Sequence, residues 1–181
     1  MQNQKYTRFQ DIPKFTREAS YAVDYPLDYL VRWLDEEERE MGLQLCPPFQ
    51  RGHVWTEEQQ RRYIEFFLRG GKTGRDLYFN CPSWHRQVPK GAYNDYVCVD
   101  GLQRITAIRR FINNELAVFG SFFREYTDTF RMATDTMRVH INDLKTEREV
   151  LQWYIDMNAG GTPHSDTEIE RVRKLMETLE D

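Results

Sequence analysis

Tyr96-Val97-Cys98-Val99-Asp100-Gly101-Leu102-Gln103-Arg104, running on into Ile105-Thr106-Ala107-Ile108-Arg109-Arg110-Phe111-Ile112, is the stretch that decides the fold. Its first part is short and apolar, with β-branched Val97 and Val99, and reads as a buried strand. Gly101 has no Cβ and supplies a backbone position that other residues resist. Beyond it, Ile105, Ile108, Ile112 and Leu116 recur at helical spacing, with Arg109, Arg110, Asn113 and Asn114 off that stripe. A strand, a tight turn and an amphipathic helix place Asp100 at the strand's end and Gln103 and Arg104 in the first helical turn. The free N–H groups and the positive end of the helix dipole point the same way. A carboxylate, an amide, a guanidinium and bare N–H donors converging on one small volume suit a phosphate. The same junction also accommodates a plainer reading, in which Asp100 caps the helix.

The 181 residues favour one domain with a helical extension, and they are enough for a hydrophobic core. Hydrophobic residues are 40% and aromatics 14%, a globular composition. A net charge of −4 gives no global basic footprint for nucleic acid, although local basic clusters can still bind phosphate. Cys46, Cys81 and Cys98 are far apart and form no CxxC, which argues against a structural zinc site. With no signal-like N-terminus, they point to a reducing, cytoplasmic setting. Cys46 and Cys98 lie in apolar contexts and read as inert core residues. No apolar run approaches a membrane span.

Around the central stretch the other elements fall into place. Residues 1–20 are polar and mixed, and are expected to wrap the surface. Pro26 opens a helix with Leu27, Leu30, Val31 and Leu34 on one stripe. Its acidic tail, Asp35-Glu36-Glu37-Glu38-Arg39-Glu40, reads as a solvated face, and Gly42 as the stop. Leu43 to Cys46 reads as a short strand. Pro47 and Pro48 then stiffen the backbone so that Gln50 and Arg51 are presented from a rigid loop before Gly52. Thr56-Glu57-Glu58-Gln59 is a capping box for the next helix, with Tyr63, Ile64, Phe67 and Leu68 inward. Gly70-Gly71-Lys72-Thr73-Gly74 resembles a phosphate loop but lacks the required earlier glycine, since Phe66 stands there, and lies between a helix and a strand in the wrong order. Leu77-Tyr78-Phe79 reads as a strand. Met137, Val139 and Ile141 alternate with Arg138 and His140, giving a strand with one polar face on which His140 points outward. Thr146-Glu147-Arg148-Glu149 and Ser165-Asp166-Thr167-Glu168 are capping boxes for two final helices. Asn158-Ala159-Gly160-Gly161-Thr162 joins them, either as a plain helix stop or as a polar, glycine-rich contact to a ligand.

Three separated pieces carry a resemblance. Pro48-Phe49-Gln50-Arg51-Gly52 with Trp55, then Val99-Asp100-Gly101-Leu102-Gln103-Arg104, then Asn158-Ala159-Gly160-Gly161-Thr162-Pro163 with Ser165 and Glu168 resemble the ParB/sulfiredoxin-like domain of GmrSD-type modification-dependent restriction enzymes. That domain is also the N-terminal part of SspE-type phage-defence proteins. The likeness covers most of residues 24–180. Leu102 stands where the family's Asp-Gly-Gln-Gln-Arg pattern usually has its first Gln, which removes one polar contact.

The resemblance implies an α+β (mixed α/β) fold: a small mixed sheet flanked by helices over about residues 24–145, with a C-terminal helical part at 146–181, all in one domain. It also implies nucleotide chemistry. Gln50, Arg51, Gly101, Gln103, Arg104, Asn158, Gly160, Gly161 and Thr162 would bind a nucleoside triphosphate with Mg2+. Arg51 and Arg104 would clamp phosphate oxygens, Gly101 would allow backbone approach, and Gln103 would position water or the γ-phosphate. Asp100 would hold the metal or orient the water, so Asp100, Gln103 and Arg104 form the catalytic set. Longer relatives carry an HNH-type nuclease domain, and this chain has no matching cluster. The expectation is therefore an NTP-hydrolysing module of a restriction or phage-conflict system in a prokaryotic or phage-infected cell. Its partners would be DNA, a separate nuclease subunit or a second copy of the chain. The alternative is a non-catalytic DNA- or protein-binding module of the same fold; a direct DNA-nicking enzyme lacks a visible metal or nucleophile constellation.

Overall fold

The computed structural model describes residues 5–12, 21–131, 134–159 and 166–179. Among these residues, four strands form one mixed sheet in the order β1-β4-β2-β3. They are β1 (Tyr21–Pro26), β2 (Asp76–Asn80), β3 (Val97–Asp100) and β4 (Thr136–Asn142). β4 runs parallel to β2 and antiparallel to β1, while β3 closes the other side antiparallel to β2. Among the described residues, five α-helices flank the sheet: α1 (Leu27–Glu36), α2 (Glu57–Leu68), α3 (Leu102–Ile112), α4 (Glu147–Ala159) and α5 (Asp166–Thr178).

Strand alternation divides the molecule into layers. Leu77, Phe79, Cys98, Met137, Val139 and Ile141 face α1, α2 and α3 in one buried cluster. Val97 and Val99 face the opposite way, into a second cluster built on α4 and α5. The stripe of α1 is buried as its spacing requires, with Leu27, Leu30 and Leu34 at 0% exposure. Thr56 and Gln59 exchange both capping-box bonds at the start of α2, and Thr146 and Glu149 do the same at α4. Ile169, Val172, Leu175 and Met176 of α5, with Leu179 just after it, all join the second cluster. Among the described residues, no helix is long and apolar enough to cross a membrane.

Four features depart from the sequence reading. β1 has no counterpart in it, although Tyr21, Val23 and Tyr25 alternate; the neighbouring helix signal at Pro26 overshadowed a strand that lies at the sheet's edge. The segment at Leu43–Leu45 contributes only a single bridge, Gln44 to Val97. Cys46 is exposed, because Pro47 and Phe49 take the buried positions beside it.

The acidic tail of α1, the fourth departure, is not uniformly solvated. It continues as a π-helical turn over Glu37–Met41 and stops at Gly42 with φ +71°. Arg109 of α3 pairs with Asp35 at 2.8 Å and also with Glu38, tying the turn to the helix that carries the central motif. Burial pushes the Glu37 carboxyl above the usual carboxylate range, against the influence of neighbouring Trp33 and Tyr96, which favours its charge. A raised folded-state pKa stabilises the native state most below the unfolded carboxylate pKa, and that contribution is lost as pH rises through the folded value. Glu37→Gln should therefore raise Tm at pH 7.5, with the gain shrinking towards pH 4, as read by thermal melts across that range.

Candidate functional site

The site begins where β3 ends. Asp100 and Val99 lie together opposite Tyr78, where the β2–β3 register shifts, and Gly101 follows with φ +129°. Gly101, not Asp100, is the N-cap of α3, and no side chain caps it. Asp100 instead accepts a hydrogen bond from Arg104 Nη2 at 2.6 Å, one helical turn on. The capping role is thus replaced by an ion pair, 20% exposed at Arg104 and 40% at Asp100. Burial works against the Arg104 charge, but the Asp100 carboxylate and its hydrogen bond hold the guanidinium above its ordinary range. Arg104 Nε is buried with no hydrogen-bond partner among the described residues. A buried donor without a partner is costly.

The Gln50–Trp55 loop is fastened over this junction on both sides of Arg51. Gln50 Nε2 donates to Val99 O at 3.4 Å. On the far side, Gln103 Nε2 donates to Gly52 O at 3.1 Å, and Gln103 Oε1 accepts from Val54 N at 2.9 Å and Trp55 N at 3.1 Å. Gln60 Nε2 of α2 donates to Trp55 O at 3.0 Å, and the Trp55 ring packs on Tyr63, also of α2. The backbone at Arg51, 49 residues before Asp100 in sequence, is thereby held at the N-terminal end of α3. Gln50 Oε1 is buried there without a hydrogen-bond partner.

The second layer supports the loop from beneath. The Phe49 ring meets Tyr154 of α4 edge-on at 5.4 Å. Arg171 Nη2 of α5 donates to Phe49 O at 2.9 Å. The C-terminal helices therefore position the rigid loop, a role that the stripe pattern of α5 could not reveal. Asn158 lies on the last turn of α4, where its Nδ2 donates to Tyr154 O at 2.7 Å. Gly160, Gly161 and Thr162 lie outside the described residues.

Position 102 is mostly buried: Leu102 is 8% exposed and belongs to the packed interior, so its side chain is not presented to a ligand. Gln103 engages its amide oxygen twice and its Nε2 once with the loop. Among the described residues, no group of three or more His, Cys, Asp or Glu side chains is arranged to hold a metal ion. Asp100 could then serve a divalent ion only together with a ligand's own oxygens and water, which is how Mg2+ is commonly held on phosphates. A cavity of about 200 Å³ lined by Leu68, Phe111, Phe119, Phe123 and Phe130 shares no residue with this cluster.

The family model for the GmrSD restriction endonuclease N-terminal domain matches residues 30–135, more than half of the chain. The chain belongs to this family. The match takes in both the Gln50–Arg51 loop and the Asp100–Arg104 turn of the GmrSD N-terminal domain. No curated protein matches the chain. Among solved structures, one match is the C-terminally truncated chromosome-partitioning protein ParB from Caulobacter crescentus, complexed with CTP-gamma-S. The two chains are 15% identical with a TM-score of 0.40, over 87% of this chain. The chain spans 63% of that protein's length.

Proposed function

We propose that this domain binds a nucleoside triphosphate at the β3–α3 junction and hydrolyses it in the service of a DNA restriction system. The observation that carries the reading is the fastening of the loop on both sides of Arg51 to the strand and helix that carry Asp100 and Arg104. The loop backbone that carries Arg51 is thus held at the helix N-terminus beside Arg104, where N–H groups and the dipole favour an anion. Family membership supplies the restriction context.

In this reading Arg51 and Arg104 hold phosphate oxygens, Gly101 lets the backbone approach, and Gln50 completes the polar rim. Gln103 acts through the loop: its three bonds fix where Arg51 stands. Asp100 orients the attacking water and shares in holding Mg2+, which when bound neutralises phosphate charge. Positioning and charge stabilisation are what phosphoryl transfer chiefly requires.

The non-catalytic alternative draws on one observation, that Leu102 is buried and Gln103 is bonded to the loop through both its amide oxygen and its amide nitrogen. The two readings separate on Asp100→Asn. The isosteric amide keeps a partner for Arg104 but cannot act as a base. Thermal shift with each NTP and Mg2+ should persist in this variant, while phosphate release falls at least about 100-fold. No phosphate release by the wild-type protein, with binding retained, would favour the non-catalytic module. No thermal shift with any NTP would remove both the binding and the hydrolysis.

A further inference from the structure

Across the sheet from Asp100 lies a second group of polar side chains. Tyr78 stands opposite Asp100 in the β2–β3 ladder, and His140 stands opposite Tyr78 in the β2–β4 ladder. The Tyr78 and His140 rings stack with centroids 4.7 Å apart and planes at 12°, so both project from the same face. His140 Nε2 lies 2.7 Å from Asp76 Oδ1, two residues before Tyr78. An ionised carboxylate only accepts hydrogen bonds, so the imidazole donates through Nε2 and fixes the carboxylate's orientation. Trp153 of α4 covers Tyr78 edge-on at 6.1 Å. His140 is therefore no outward-pointing residue of the polar face; it is 24% exposed and engaged on two sides.

These groups are electrostatically continuous with the phosphate site. Burial raises the Tyr78 phenol above its ordinary range, and both Asp76 and Asp100 raise it further while Arg104 opposes them. Strand geometry sets Asp76 and Asp100 roughly 8 Å apart at their Cα atoms. That suits opposite ends of one ligand better than one atom of it.

We infer that the Asp76–His140 pair is a nucleoside-recognition subsite, in which the Asp76 carboxylate accepts hydrogen bonds from the sugar hydroxyls of the nucleotide. This rests on the triphosphate reading above. A carboxylate repels phosphate, so Asp76 cannot belong to the phosphate end. The Tyr78–His140 stack is closed on itself and covered by Trp153, leaving no slot to sandwich a base. What remains open is the carboxylate edge of Asp76, 46% exposed, a pure acceptor held in place by the imidazole. Vicinal hydroxyls are neutral donors that match it, and orienting the carboxylate in advance lowers the cost of binding.

The test compares ribonucleoside triphosphates, their 2′,3′-dideoxy counterparts and inorganic tripolyphosphate by calorimetry with Mg2+, on the wild-type protein, Asp76→Asn and His140→Gln. Asp76 and His140 are partly exposed, and circular dichroism with thermal melts checks that both variants fold. The wild type should prefer the ribonucleotide over its dideoxy form by about tenfold or more, the effect of losing charge-assisted hydrogen bonds. Asp76→Asn should abolish that preference and His140→Gln should weaken it, with tripolyphosphate affinity unchanged in both. Equal wild-type affinity for ribo and dideoxy forms, or discrimination that survives Asp76→Asn, overturns the subsite while leaving the phosphate reading intact. Absence of binding by tripolyphosphate and every nucleotide overturns both.

Discussion

Arg104→Ala should abolish nucleoside triphosphate binding, and by more than the loss of one cation predicts. In the native protein the guanidinium and the Asp100 carboxylate neutralise each other at 2.6 Å. Truncation removes the phosphate contact and also leaves Asp100 bare, facing an anionic ligand. Losing charge-assisted hydrogen bonds to a phosphate costs about 1.5–3 kcal/mol, a loss of affinity on the order of 10–10²-fold, and the repulsion from the bared carboxylate adds to it. The double variant Arg104→Ala with Asp100→Asn tests the account, because it removes the repulsion while the cation stays missing. Calorimetry should show the double variant binding triphosphate more tightly than Arg104→Ala alone. Arg104→Lys should recover only part of the affinity, since an ammonium cannot bridge a carboxylate and a phosphate with a planar fork. If Arg104→Ala bound triphosphate as well as the wild type, the β3–α3 junction would not be the seat of the phosphates.

The central motif was legible because local chemistry settles it. A β-branched pair, a glycine and an isoleucine stripe determine strand, turn and helix with little help from distant residues, and the structure follows them over Val97–Ile112. The capping boxes at Thr56 and Thr146 were equally local. What sequence reading missed depends on pairing at long range. β1 is a strand only because β4 runs beside it. The acidic tail of α1 lost its solvated character to Arg109, more than 70 residues later. His140 could not be given a partner from sequence, because Asp76 lies 64 residues earlier and only the parallel β2–β4 ladder brings the two together. Gln103 is the instructive case. Its place in the first turn of α3 could be read directly, but the direction of its amide depends on where the Gly52–Trp55 loop passes, and that loop is set by α2, α4 and α5.

Gly101→Ala should be the most destabilising single-methyl change at the site. At φ +129° any L side chain is strained, at a cost of about 1–3 kcal/mol. A Cβ there would also lie 2.5 Å from Leu77 Cδ2, and overpacking of this kind adds about 1–3 kcal/mol. Leu77 is fully buried on the central strand β2, so its side chain has little room to retreat. The sum is a large share of the roughly 5–15 kcal/mol that holds a typical domain folded. The two causes separate in a double-mutant cycle read by urea denaturation. Leu77→Val removes the clashing Cδ atoms, so the double variant should be less destabilised than the sum of the two single changes, while the backbone strain remains. Additive effects would show that Leu77 yields freely and that backbone conformation alone demands the glycine. In either case the variant's α3 begins at a displaced turn, so triphosphate affinity should fall even at temperatures where the protein remains folded. The glycine thus serves the site through geometry: it lets β3 turn into α3 against Leu77 so closely that Asp100 and Arg104 come to rest at one end of the helix.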